Sequence, residues 1–123
     1  MAEVIRWRNA EPTRRSFLVG ASCHSLVAAQ QAERDGADYI FFGPVFDTPA
    51  KREFGPPQGL ERLADVCRAV RIPVLAIGGI TLENSASCLR SGAAGLAAIR
   101  LFQESFDFLA AVAQLRSGFS PIR

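Results

Sequence analysis

The apolar positions of this chain fall into four short, nearly unbroken runs. Each run is followed by a stretch in which apolar residues recur at three- and four-residue spacing. A strand pattern followed by a helix pattern, repeated about every 25 to 30 residues, predicts consecutive βα units. The first strand is expected over residues 17–21, with a helix starting near Ser25 and stopped by Gly36, a residue suited to the left-handed position after a helix. The second strand is expected over 38–43. Its helix begins near Gln58 and carries Leu60, Leu63, Ala64, Cys67 and Val70 as an apolar stripe. Residues 74–77 form the third strand, an apolar run of the kind buried on both faces. Thr81 is placed to cap the next helix, in which Leu82, Ala86 and Leu89 share a face and which Gly92 ends. The fourth strand is expected over 95–99. A last helix runs from near Ser105 to Arg116, with Phe108, Val112 and Leu115 on one side.

Such units build an α/β fold with a parallel sheet. Two architectures accommodate four of them: a small open sheet, or half of a (β/α)8 barrel. A complete barrel takes about 250 residues, and this chain has 123. As a half-barrel its outer strands would leave unpaired edges, and its inward side chains would lack their opposing layer. Residues 1–16 read as a basic connector or helix remnant ahead of a half-barrel over 17–123.

Composition narrows the classes. Hydrophobic residues make up 49% of the chain, as a buried α/β domain needs, and the net charge of +2 is too small to indicate nucleic acid. Arg6, Arg8, Arg14 and Arg15 read as a solvated face rather than a binding arm. Cys23, Cys67 and Cys88 are odd in number and lack CxxC spacing, so they are expected as reduced thiols of a cytoplasmic protein. The first residues hold no long apolar run, so neither a signal peptide nor a membrane span is expected there.

The polar residues that follow the strands carry the candidate chemistry, because a parallel α/β sheet builds its site at the strands' carboxyl ends. Ser22, Cys23, His24 and Ser25 are expected after the first strand. After the second comes Gly43-Pro44, a tight turn leading to Thr48, Lys51 and Arg52. Gly78, Gly79 and Thr81 follow the third strand, and Arg100 follows the fourth. Glycines without side chains let a phosphate approach backbone N–H groups. Lys51 offers a point charge and three donors to a diphosphate. Thr48 either donates to the same anion or caps the turn, and Ser22 either contacts ligand or stabilises its turn. His24 suits general acid/base work near neutral pH, or a structural hydrogen bond. Cys23 has no evident activator. The acids, Asp38 and Asp47 among them, show no metal-ligand spacing.

Four segments resemble the thiamine-phosphate synthase and thiazole tautomerase family: Val19-Gly-Ala-Ser-Cys-His-Ser25, Gly36-Ala-Asp-Tyr-Ile-Phe-Phe-Gly-Pro-Val-Phe-Asp-Thr-Pro-Ala-Lys51, Ile72-Pro-Val-Leu-Ala-Ile-Gly-Gly-Ile80 and Gly92-Ala-Ala-Gly-Leu-Ala-Ala-Ile99. The resemblance implies the second half, strands five to eight, of a TIM barrel. It implies an enzyme that joins an aminopyrimidine methyl diphosphate to a thiazole phosphate, releasing diphosphate. By resemblance Ser22 and Lys51 contact the diphosphate, while Thr48, Gly79 and the Ile99–Arg100 backbone hold the thiazole phosphate. His24 matches the acid/base of the tautomerase, and Gly43-Pro44 with Thr48 and Lys51 looks more like the synthase. Magnesium is implied by the family, with its ligands expected in the first half-barrel and not in this chain. Ala50 stands where the synthase has a second hydroxyl, and Arg100 where it has serine. The implied partners are phosphorylated small molecules, together with a missing amino-terminal half or a second copy. The chain alone is expected to bind phosphate better than it catalyses; the alternatives are a thiazole tautomerase using His24 and a non-catalytic phosphate-binding half-barrel that pairs as a homodimer.

Overall fold

The computed structural model describes residues 1–47 and 55–118. Four strands form one parallel sheet in chain order: β1 (Gly20–Cys23), β2 (Tyr39–Phe42), β3 (Val74–Ile77) and β4 (Gly95–Ala97). The helices are α1 (Ala2–Asn9), α2 (Leu26–Asp35), α3 (Gly59–Ala69), α4 (Ser85–Arg90), α5 (Arg100–Gln103) and α6 (Phe108–Ser117).

Local chemistry sets the ends of these elements. Ser25 caps α2 by accepting from the Ala28 N–H at 3.0 Å, satisfying a donor that the first turn leaves orphaned. Gly36 ends the same helix at φ 102°. The Ala37 N–H reaches back to the Ala32 carbonyl, closing a Schellman turn. Gly92 closes α4 in the same manner, with the Ala93 N–H donating to the Cys88 carbonyl.

The register divides the sheet into two unlike faces. Cys23 lies beside Phe42 and Phe42 beside Ala76, whereas Ser22 lies beside Phe41 and Phe41 beside Leu75. Paired positions of parallel strands point the same way, and neighbours along a strand point oppositely. One face therefore gathers Cys23, Ile40, Phe42, Val74 and Ala76, buried against Ala29, Ala32, Leu63, Val66 and Cys88 of α2, α3 and α4. The other face gathers Tyr39, Phe41, Leu75 and Ile77, all only half-buried, and Ser22, which is exposed. On this open face large residues of the central strands lie over glycines of the outer ones. A Cβ on Gly20 would sit 2.3 Å from the Tyr39 ring, and one on Gly95 would sit 2.6 Å from Leu75 Cδ2. Tyr39 and Phe41 meet edge-on at 5.6 Å.

Several boundaries differ from the pattern. β1 starts at Gly20, not Phe17, so Ser22 and Cys23 lie within the strand rather than after it. Phe17 and Leu18 are apolar but 52% and 75% exposed. Phe17 stacks on Trp7 instead. The chain is tied ahead of β1 by the Val19 N–H donating to the Asp38 carboxylate at 2.7 Å. Thr81 caps a turn, not a helix: it and Asn84 exchange hydrogen bonds, and α4 begins only at Ser85. Ser85 and Cys88 are the buried residues of α4, while Leu82, Ala86 and Leu89, read as one face, are half-buried. β4 ends at Ala97, and a short α5 follows it that the pattern does not show; the expected last helix is α6, which Asp107 caps by accepting from the Ala110 N–H. α6 buries Ala111 and Leu115, while Phe108 is half exposed.

The basic segment contains α1, whose Ile5 is buried beside Gly36. Arg8 donates to the Phe17 carbonyl and pairs with Asp38, and Arg14 lies 4.3 Å over the Trp7 ring. Two of the four arginines thus hold the segment to itself and to the sheet.

Candidate functional site

The loops after β3 and β4 border an open cleft of about 650 Å³. Its walls include Gly78, Gly79 and Thr81 from the first loop and Ile99, Arg100 and Glu104 from the second. The first wall is shaped by the segment that leaves β2. Val45 N–H donates to the Ile77 carbonyl and Phe46 N–H to the Gly78 carbonyl, both at 3.0 Å. With these strands so close, a Cβ on Gly78 would lie 2.5 Å from Pro44 Cα, and one on Gly79 would lie 2.7 Å from the Asp47 carbonyl oxygen. Both glycines also have positive φ, 102° and 66°, where L side chains are strained. Close packing and backbone conformation each require glycine here, and the wall they make is consequently bare backbone.

Asn84, which sequence reasoning missed, braces this wall without lining the cleft. Its Nδ2 donates to the Gly79 carbonyl at 3.0 Å while its Oδ1 accepts from the Thr81 N–H at 2.8 Å. The signal was the three-residue spacing of Thr81 and Asn84, which reads as a reciprocal turn once both are considered. In the second wall the Arg100 guanidinium donates through Nε (3.2 Å) and Nη2 (2.9 Å) to one oxygen of Glu104. Ile99 is 63% exposed.

Gly78, Gly79 and Arg100, expected after strand ends, and Ile99, named by the resemblance, all line this cleft. The other candidates lie elsewhere or outside the described residues. Ser22 is exposed on the open face of β1. Cys23 is 3% exposed and faces the helices, and its thiol is pushed up by burial. Cys88 is raised to about 11 by burial and by the neighbouring Cys67, so neither thiol is poised as a nucleophile near neutral pH. His24 borders a separate hollow of about 320 Å³ with Ser25, Gln58, Arg62 and Asp65. Its Nδ1 lies 2.7 Å from the Gly43 carbonyl. A carbonyl only accepts, so Nδ1 is the donor in this contact. Gln58 Nε2 donates to the His24 carbonyl at 2.9 Å, fixing the backbone there. Thr48, Ala50, Lys51 and Arg52 lie outside the described residues.

The cleft's described lining carries three carboxylates, Asp47, Glu83 and Glu104, and one guanidinium, Arg100. Among the described residues no group of three or more His, Cys, Asp or Glu side chains is arranged to hold a metal ion. The described residues thus do not fit a magnesium site. No helix among the described residues is long and apolar enough to cross a membrane.

A family model described as thiamine monophosphate synthase matches residues 6–102. The chain is 45% identical over 109 residues to a thiamine-phosphate synthase of Methanocella arvoryzae, covering 89% of this chain and 51% of that protein. It is 51% identical over 82 residues to one of Roseiflexus castenholzii, covering 67% and 36%. The chain superposes on thiamine phosphate pyrophosphorylase from Pyrococcus furiosus with a TM-score of 0.80 and 36% identity, covering 96% of this chain and 54% of that one. A KDPGal structure, 21% identical with a TM-score of 0.65, shares the fold alone, covering 96% and 53%. The chain therefore spans about half the length of the Methanocella and Pyrococcus relatives. Its four parallel βα units are the α/β architecture expected from the pattern, resembling the second half of a TIM barrel. With the model match running from before β1 to beyond β4, the chain belongs to the thiamine monophosphate synthase family.

Proposed function

We propose that this chain supplies the phosphate-binding half of a thiamine-phosphate synthase. The observation that carries the reading is the cleft between the loops of β3 and β4, walled by Gly78 and Gly79 on one side and Ile99 and Arg100 on the other. A phosphomonoester suits such a site because bare backbone admits close approach and Arg100 offers charge. In this reading the cleft holds thiazole phosphate, with Thr48 adding a donor, and Ser22 and Lys51 face the diphosphate of the aminopyrimidine. The pyrimidine C–O bond breaks, diphosphate leaves with the electron pair, and the thiazole nitrogen closes on the resulting carbocation. Lys51 stabilises the departing charge as it develops. The half-open apolar face of the sheet needs covering by complementary βα units, from the same polypeptide, a partner or a second copy. We place the reaction in the cytoplasm, where the three thiols stay reduced.

The orientation of His24 favours one second reading. With Nδ1 engaged by Gly43, Nε2 is suited to proton transfer, as a thiazole tautomerase requires. Amide NMR during titration with thiazole phosphate tests the main reading. Shifts centred on Gly78, Gly79, Ile99 and Arg100 are expected, with little coupling turnover by the chain alone. Shifts confined to the surroundings of His24, or tautomerase activity abolished by His24→Ala, would favour the second reading.

A further inference from the structure

The ion pair at the mouth of the cleft has an unusual geometry for a pair meant to endure. Both Arg100 donors, Nε and Nη2, converge on the single oxygen Oε1 of Glu104. A guanidinium fork is matched by two oxygens in parallel, as a phosphate or a bidentate carboxylate provides. The two side chains are also 55% and 63% exposed, so water competes for both, and such pairs hold only weakly. Both residues line the cleft, as do the carboxylates of Asp47 and Glu83. While Glu104 occupies Arg100, the described lining presents an incoming anion with acidic groups and a guanidinium whose charge is already answered.

We propose that Arg100 and Glu104 form an exchangeable latch, in which a phosphomonoester dianion displaces the Glu104 carboxylate from the Arg100 fork. The proposal rests on the phosphate-binding reading of the cleft and adds the element that sets its selectivity. Exchange turns a fork closed on one oxygen into a fork that can engage two. A dianion gains more from that exchange than a monoanionic diester or a carboxylate, so the latch selects terminal phosphate groups. Glu104 keeps the cleft from retaining weaker anions, at some cost in affinity for the correct one.

Inorganic phosphate, followed by amide NMR and calorimetry at fixed low salt, is the probe. Glu104→Gln should tighten binding about threefold or more, because it removes the competitor, and Arg100→Gln should weaken it about tenfold, as expected for a charge-assisted contact. The double variant should bind like Arg100→Gln alone, since the effect of Glu104 passes through Arg100. Equal tightening by Glu104→Gln in both backgrounds would reduce Glu104 to simple repulsion and overturn the latch. Wild-type shifts at Gly78 and Gly79 with an unchanged constant in Arg100→Gln would overturn the latch and leave the phosphate site standing. Absence of shifts at the cleft in every variant would remove the phosphate-binding reading itself. Circular dichroism melts of each variant separate these outcomes from misfolding.

Discussion

Gly79 is constrained twice, by its positive φ and by the backbone of Phe46 and Asp47 across the wall. Gly79→Ala should therefore lose about 1–3 kcal/mol in chemical denaturation and weaken phosphate binding with it. A variant of wild-type stability would show that the wall can open. Asp38 is constrained differently. Its carboxyl is held below the usual range, first by the Val19 N–H and then by Arg8. A folded-state value below the unfolded one means stability present above the ordinary carboxylate range and lost as pH falls through the lowered value. Asp38→Asn should thus reduce stability near neutrality and flatten its fall in acid. An unchanged acid limb would show that Asp38 is not the group responsible. Single residues were legible when their partners were near in sequence, as with Ser25, Gly36 and Gly92. Asp38 and Glu33 were not. Asp38 reaches back to Val19, and Glu33 accepts from the backbone of Arg71 and Ile72, across distances that no local pattern records.

Among elements, those with a tight cap or a buried run were placed well. β3 is found where its apolar run puts it, and α2 lies between its Ser25 cap and its Gly36 stop. Ser25→Ala should remove the Ala28 hydrogen bond and cost about 1 kcal/mol. Because Ser25 adjoins His24, the same substitution should broaden the His24 ring signals, and sharp signals would show the histidine is held independently of the Ser25 cap. The errors came where apolar residues serve something other than the sheet. Phe17 packs on Trp7, so a strand-like run preceded the real strand. Residues after β4 are apolar enough to read as strand, yet helix α5 starts at Arg100. The glycine cleft was legible because strand ends were. Its acidic rim was not, because Glu83 and Glu104 are brought to the same cleft only by the fold.

At the scale of the whole molecule, one face of the sheet is finished and the other is not. Tyr39, Phe41, Leu75 and Ile77 give a half-buried apolar surface of the kind that marks an interface. Phe41→Lys, on that surface, should lower binding of a hydrophobic dye and reduce self-association in sedimentation. Equal dye binding by the variant would place the sticky surface elsewhere, on the exposed Phe106 and Leu109 for instance.

The aromatic layer over Gly20 has an optical consequence. The chain holds one tyrosine and one tryptophan, and they are placed apart by role: Tyr39 on the open sheet face, Trp7 on α1 against Phe17. Absorbance of the phenol, resolved by its second derivative, reports the polarity around that face and nothing else in the molecule. Emission of the indole serves as an internal reference for α1. Drying of the open face by any covering units is thus readable without a label, from a chromophore the sequence already carries at its centre.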